Sequence, residues 1–154
     1  MRINECYMIL AEGAGALYLK RAGEESREVL LDCVSDPHLF TRAQSRARAI
    51  QAMRNELPQT SEHEVLLLSD AGGRWNRDEQ NAWLGNPAHP LAPKKLLGES
   101  FIAGAGWQAA LAYDLLLSDK YPAATISVVG FDHQAVGARF VAGGKNLCNR
   151  EDWI

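Results

Sequence analysis

The sequence predicts an α/β layered domain, and three observations lead there. Residues 65–68 (VLLL) form a short run that is apolar at every position, the pattern of a strand covered by helices on both faces of its sheet. Residues 124–130 (ATISVVG), mostly apolar, read as a second buried strand. Residues 102–117 (IAGAGWQAALAYDLLL) have helical length and are apolar nearly all round, so burying one side does not satisfy them. Read in order, the chain gives strands, helix, strand, helix, helix, strand, strand.

Each element has its own signal. Residues 7–10, 14–19 (AGALYL) and 29–35 (VLLDCVS) read as extended segments joined by turns. Thr41, with Gln44 three residues later, is a capping-box pattern that opens a helix. Ala43, Ala47, Ile50 and Leu57 are placed on its apolar face, with Arg42, Arg46, Arg48 and Arg54 mostly off it, a solvated basic face. Residues 77–84 read as a short helix with Asp78 and Glu79 in its first turn, where carboxylates suit the positive helix end. Residues 86–93 (NPAHPLAP) hold three of the six prolines, which rules out helix or central strand and predicts an exposed loop or one beside a ligand. Residues 136–141 read as the hairpin partner of the strand at 124–130. One domain spans 1–154, with a tail at 141–154.

Composition narrows the functional classes. The 154 residues are 47% hydrophobic and 23% charged, which is ordinary globular usage. With 16 Lys and Arg against 19 Asp and Glu, the formal charge is −3, and no basic excess is present to neutralise phosphates, so no nucleic-acid partner is expected. The run 101–117 is interrupted by Gln108 and Asp114 and reads as a buried helix rather than a membrane span. The N-terminus lacks the apolar core of a signal peptide. Cys6, Cys33 and Cys148 are odd in number and contain no C-x-x-C, which argues against a disulfide framework or a zinc site and points to a reducing cytoplasm.

Four segments, in order, resemble the β-ketoacyl-ACP synthases of the thiolase-like superfamily. MILAEGAGALYLKR (8–21) is similar to their EGAGALVL strand pair. VLLLSDAGGRWNRDEQNAWL (65–84) is similar to their EAHGTGTPLNDPIEARAL segment. KKLLGESFIAGAGWQAAL (94–111) resembles KSxxGHxxGAAGxxEAAL, and SVVGFDHQAVGARF (127–140) resembles NSFGFGGTNASLVF. The resemblance covers most of residues 6–140 and corresponds to the family's second half. It implies a thiolase-like layered fold: a mixed five-stranded sheet with helices on both faces, of second-half type, in which 102–117 is a central helix covered by a second half, a second copy or another chain.

The same resemblance marks what the chain lacks. The family's nucleophilic cysteine belongs to the first half, and none of the three cysteines here stands at the strand-to-helix turn that activates it. The family's two histidines fall on Asp70 and Glu99; a carboxylate accepts hydrogen bonds where the imidazole donates them, and carries the wrong charge for stabilising an enolate or oxyanion. Lys94 falls on the family lysine, Gln108 on a helix glutamate, and Phe131, Asp132 and His133 on the glycine-rich oxyanion loop. Claisen condensation by this chain alone is therefore not expected. The implied role is that of a chain-length-factor-like, non-condensing partner in fatty-acid or polyketide (aryl-polyene-type) biosynthesis. The implied partners are an active ketosynthase or a first-half ketosynthase-like chain, and an acyl carrier protein, in a hetero- or homo-oligomer without cofactor or metal.

Two other readings come from the residues. Asp70, Glu99 and His133 brought together would offer an acid–base pair for a small acyl-thioester enzyme, although no G-x-S-x-G elbow accompanies them. Without chemistry, the same pocket would serve an acyl or carrier-protein binding module. Drift of a lost active site to solvated polar residues is the plainer account. Trp75 and Ile102 are candidates to line an acyl pocket, and Trp107 and Trp153 to meet a partner. A piece of a longer synthase would account for the missing cysteine but not for Asp70 and Glu99.

Overall fold

The computed structural model describes residues 11–21, 28–41, 45–69, 73–100, 103–130 and 133–143, with the side chains of 73–76 excepted. The strands are β1 (Val29–Val34), β2 (His38–Leu39), β3 (Val65–Leu67), β4 (His89–Leu91), β5 (Ala123–Val129) and β6 (Gln134–Ala142); the helices are α1 (Arg46–Glu56), α2 (Gly73–Ala82), α3 (Lys94–Leu97) and α4 (Ala103–Leu117). They build one mixed sheet in the order β1-β6-β5-β3-β4, with β2 added beside β6. The expected five-stranded mixed sheet is thus present, and the two-residue β2 makes it six.

The sheet has two halves of different origin. β4, β3 and β5 run parallel, with Val65 level with His89 on one side and with Ala124 on the other. β5 and β6 form an antiparallel hairpin pairing Ala123 with Val141 and Val129 with Ala135, and β6 pairs antiparallel with β1, Val29 against Ala142 and Val34 against Ala138. A bulge between Leu31 and Cys33 interrupts β1 at Asp32.

Period-two alternation along the strands feeds two cores. Leu66 and Leu68 of the β3 segment join Ile50, Met53 and Leu57 on the α1 side, together with Ala82 and Trp83 at the end of α2. Val65 and Leu67 face the other way, with Ala109, Ala112, Leu115 and Leu116 of α4 and with Phe140 of β6. Helices therefore cover both faces, as the unbroken apolar strands require.

Five elements differ from the sequence reading. Residues 14–19 make no strand; they run as irregular chain across α4, with Leu17, Tyr18 and Leu19 exposed. The buried face of α1 is Ala49, Ile50 and Met53, and Ala47 is exposed: helical spacing through Ile50 and Leu57 allows a stripe with 43 and 47 or one with 46, 49 and 53, and packing takes the second. Ser45 stands at the N-cap of α1 without a side-chain cap bond, and residues 42–44 lie outside the described residues. α2 begins at Gly73, so Asp78 and Glu79 sit mid-helix, where Asp78 meets Arg46 and Glu79 is buried. Within 86–93, His89–Leu91 is a strand; among the described residues it pairs with β3 alone, so Pro90 sits on a sheet edge, where its missing N–H is tolerated. β6 also runs through Ala142, into the expected tail.

The basic face of α1 is only partly solvated. Arg46 pairs with Asp78 of α2, and Arg54 lies 5.4 Å from the Trp83 ring centroid and donates to the carbonyl of Ala82. Cys33 is half-buried against the α1-side core, consistent with a small packing residue. Among the described residues, no helix is long and apolar enough to cross a membrane.

Candidate functional site

The topology itself selects one end of the sheet. From β3 the chain passes through α2 to β4 on one flank, then through α3 and α4 to β5 on the other flank. The order reverses at β3, and in open α/β sheets the carboxyl ends of strands at such a reversal form a crevice. Ser69 follows β3 there, Gly130 follows β5, and the N-terminus of α4 begins nearby at Ala103. Asp70, Ile102, Phe131, Asp132 and Trp153 lie outside the described residues; Trp75 lies in α2 with its side chain outside them.

Two buried side chains clamp the strands at this end, one from each face. From α4, the Gln108 Nε2 donates to the carbonyls of Leu67 (3.0 Å) and Ser127 (2.9 Å), spanning β3 and β5. Its Oε1 is buried with no hydrogen-bond partner among the described residues. From α2, Glu79 accepts from the Ser69 N–H (3.0 Å) and hydroxyl (2.9 Å) and from the Ser127 hydroxyl (2.6 Å). Trp83 Nε1 in turn donates to the Ser127 Oγ at 3.2 Å. Ser69, Glu79, Gln108 and Ser127 are all fully buried. Hydrogen bonds to a buried carboxylate are strong in this setting, so the clamp fixes the ends of β3 and β5 against each other.

The Lys94 segment is built to turn back on itself. α3 is one turn long and closes with the Gly98 N–H donating to the Lys94 carbonyl (2.9 Å). Gly98 has φ +85°, a conformation glycine reaches without a Cβ clash. The next residue, Glu99, is thereby returned to Lys94, whose Nζ meets both carboxylate oxygens at 2.9 and 3.0 Å. The two side chains are only 10% and 5% exposed. Lys94 lies over Gly104 of α4, where a Cβ would come within 2.8 Å of the lysine Cε. Glu99 also anchors the preceding strand of chain, its carbonyl accepting from the Ala11 N–H at 2.9 Å. The Ser100 hydroxyl beside it is buried without a partner among the described residues.

This geometry bears on the sequence candidates one by one. Glu99 is the counter-ion of Lys94, not an open base. The negative charge that the resemblance places on the helix at Gln108 stands instead at Glu99. His133 has φ +63° in the turn before β6, its carbonyl accepts from the Phe40 N–H (2.8 Å), and its exposed ring meets Phe40 edge-on at 5.7 Å. Glu99 and His133 thus each have their own partner. Among the described residues, no cluster of His, Cys, Asp and Glu is arranged to hold a metal ion. Trp107 is half-buried on α4, and the chain at Gly13 crosses so close that a Cβ there would overlap its ring. Glu79, Ser69 and Ser127 were missed as site residues; the one available signal was an isolated serine inside the apolar run ATISVV and another ending VLLLS.

A groove opens beside the outer face of α4. It measures about 770 Å³ and is lined by Leu17, Tyr18, Leu19, Leu31 and Tyr113, all exposed, and by Phe140 at its base. The helix that is apolar all round therefore buries one face on the sheet and leaves Tyr113 and Leu117 in water.

No family model matches this chain, and no curated protein matches it. Among solved structures it is similar to a chain of a complex described as a type II polyketide-synthase acyl-carrier protein with its ketosynthase bound to the hexaketide. That match has a TM-score of 0.61 and 11% identity, and covers 73% of this chain. It spans 32% of the other chain, about a third of its length. At that identity the likeness establishes the fold, and the α/β, thiolase-like architecture expected from the sequence stands.

Proposed function

We propose that this chain is a non-condensing, β-ketoacyl-synthase-like partner subunit, acting in polyketide or fatty-acid biosynthesis of the aryl-polyene kind. It pairs with an active ketosynthase or a first-half ketosynthase-like chain that works with an acyl carrier protein. The observation that carries this reading is the Lys94–Glu99 ion pair. At the position where the related sequences place a hydrogen-bond-donating histidine, this chain holds a carboxylate already neutralised by a lysine. That arrangement keeps the scaffold and removes the donor that decarboxylative condensation needs. The fold shared with a chain of a carrier-protein–ketosynthase complex supports it.

The partner's seat is the outer face of α4 with its flanking groove, where Tyr113, Leu117, Leu17 and Leu19 present apolar surface to water. The test is a pull-down of the tagged full chain from its source cells, with the bound proteins identified by mass spectrometry. An active ketosynthase or first-half chain recovered in equal amount, and lost with Tyr113→Glu, is the expected result. Recovery of the chain alone, or of a ketosynthase that Tyr113→Glu leaves bound, overturns the reading.

A further inference from the structure

The segment at 11–21 has the composition of a strand and no ladder to belong to. Its residues 14–19 (AGALYL) read as extended chain from the sequence, yet among the described residues they pair with no strand. Every position from 12 to 21 is exposed. Leu17, Tyr18 and Leu19 stand at 42%, 91% and 65% exposure, alternating as side chains do along a strand. Among the described residues, the segment makes one backbone hydrogen bond, from the Ala11 N–H to the Glu99 carbonyl.

The segment is held off its own sheet. Gly15 crosses α4 so closely that a Cβ there would come within 2.7 Å of the Gly106 backbone, and Gly13 crosses the Trp107 ring. Both contacts fasten the segment to α4, which packs on a face of the sheet rather than at its edge. The groove beside α4 is lined by residues 16–20 and by Val29–Leu31, so the segment stands apart from the edge strand β1. A row of backbone N–H and C=O groups with apolar side chains in alternation suits one kind of occupant, the open edge of another sheet. Main-chain bonds would satisfy the row, and the pleat would set Leu17 and Leu19 on one face and Tyr18 on the other. The anchor on α4 lowers the ordering cost of such a contact. We infer that residues 14–19 join the partner as a strand, pairing with an edge strand of the ketosynthase-like chain's sheet beside α4. This rests on the pairing proposed above and names the contact through which it is made; no covalent step is involved.

The test is hydrogen exchange, read by mass spectrometry, on the full chain alone and in its purified complex with the ketosynthase-like chain it is recovered with. The amides of 14–19 should exchange freely in the lone chain and at least about tenfold more slowly in the complex. Leu17→Pro and Tyr18→Pro extend the test. Successive N–H groups along a strand point to opposite sides, so one proline removes a ladder bond and the other an N–H that faces outward. One should weaken the complex about tenfold and the other distinctly less. Both positions are exposed, and circular dichroism checks that the variants keep the fold. Protection of 14–19 in the lone chain overturns the inference, because the chain's own residues would already cover the segment. So does a complex in which these amides stay exchangeable, or one that the two prolines affect equally or not at all, since side chains alone would then make the contact. Failure to recover any ketosynthase-like chain removes the pairing and the strand together; a complex without protection at 14–19 removes the strand alone.

Discussion

Lys94 and Glu99 are nearly out of water, so the charge of each needs the other beside it. Glu99→Gln strands a buried ammonium, and a loss of about 3 kcal/mol in unfolding free energy by urea titration is expected. Lys94→Met combined with Glu99→Leu should cost less than the two single changes summed; strict additivity would mean the pair is not energetically linked. Arg139 makes a second such case. Its guanidinium donates to Asp32 and Glu64, each at 2.8 Å. Burial opposes its charge, yet the hydrogen bonds and negative charges of Glu64 and Asp32 prevail and hold its pKa above the usual guanidinium value. A raised folded pKa means a contribution present below the unfolded value and lost only in stronger alkali, so neutral-range melts should show no step from Arg139. Arg139→Met instead leaves two carboxylates facing a neutral side chain. That variant should be about 3 kcal/mol less stable at neutral pH, read by urea titration. A urea midpoint equal to that of the parent chain would contradict this. Neither cluster was legible in the sequence. The lysine and glutamate are five residues apart across a glycine turn, and Arg139 and Asp32 are 107 apart, so no periodicity links either pair.

At the level of elements, apolar runs carried most of the information. The strands at 65–67 and 123–129, the hairpin partner at 134–142 and the helix at 103–117 all lie within two residues of where their patterns placed them. The failures have local causes. The AGALYL segment has strand composition, but three of its apolar side chains face water, and composition alone does not distinguish core from docking surface. The NPAHPLAP segment hid an edge strand because proline is excluded only from ladder positions that must donate. The segment at 11–21 is held by a close backbone crossing: a Cβ on Gly106 would come within 2.8 Å of the Gly15 Cα and 3.1 Å of its carbonyl carbon. Backbone cannot swing aside as a side-chain tip can. Gly106→Val should therefore release residues 11–21 from α4, read as faster proteolysis within that segment and red-shifted emission from Trp107, with the sheet's circular dichroism retained. Unchanged proteolysis would show that the crossing is not what holds the segment.

At the scale of the molecule, the layered α/β class followed from order and patterning, while the proposed partner-facing role of α4 follows from a conflict. A helix apolar all round had nothing in one small sheet to cover its second face, and the structure leaves Tyr113 and Leu117 exposed there. One feature of the sheet also governs how the chain reaches this state. β1 has its ladder partner in β6, the last of the described strands, with Val29 set against Ala142 and Val34 against Ala138. During synthesis, the apolar β1 strand emerges more than a hundred residues ahead of those that complete its ladder. Closing so large a loop late is entropically slow, which puts folding in the millisecond-to-second class of non-local sheets. In that interval an unpaired apolar strand is open to the wrong neighbour, so a nascent chain of this design gains from a chaperone, or from a partner already waiting when β6 arrives.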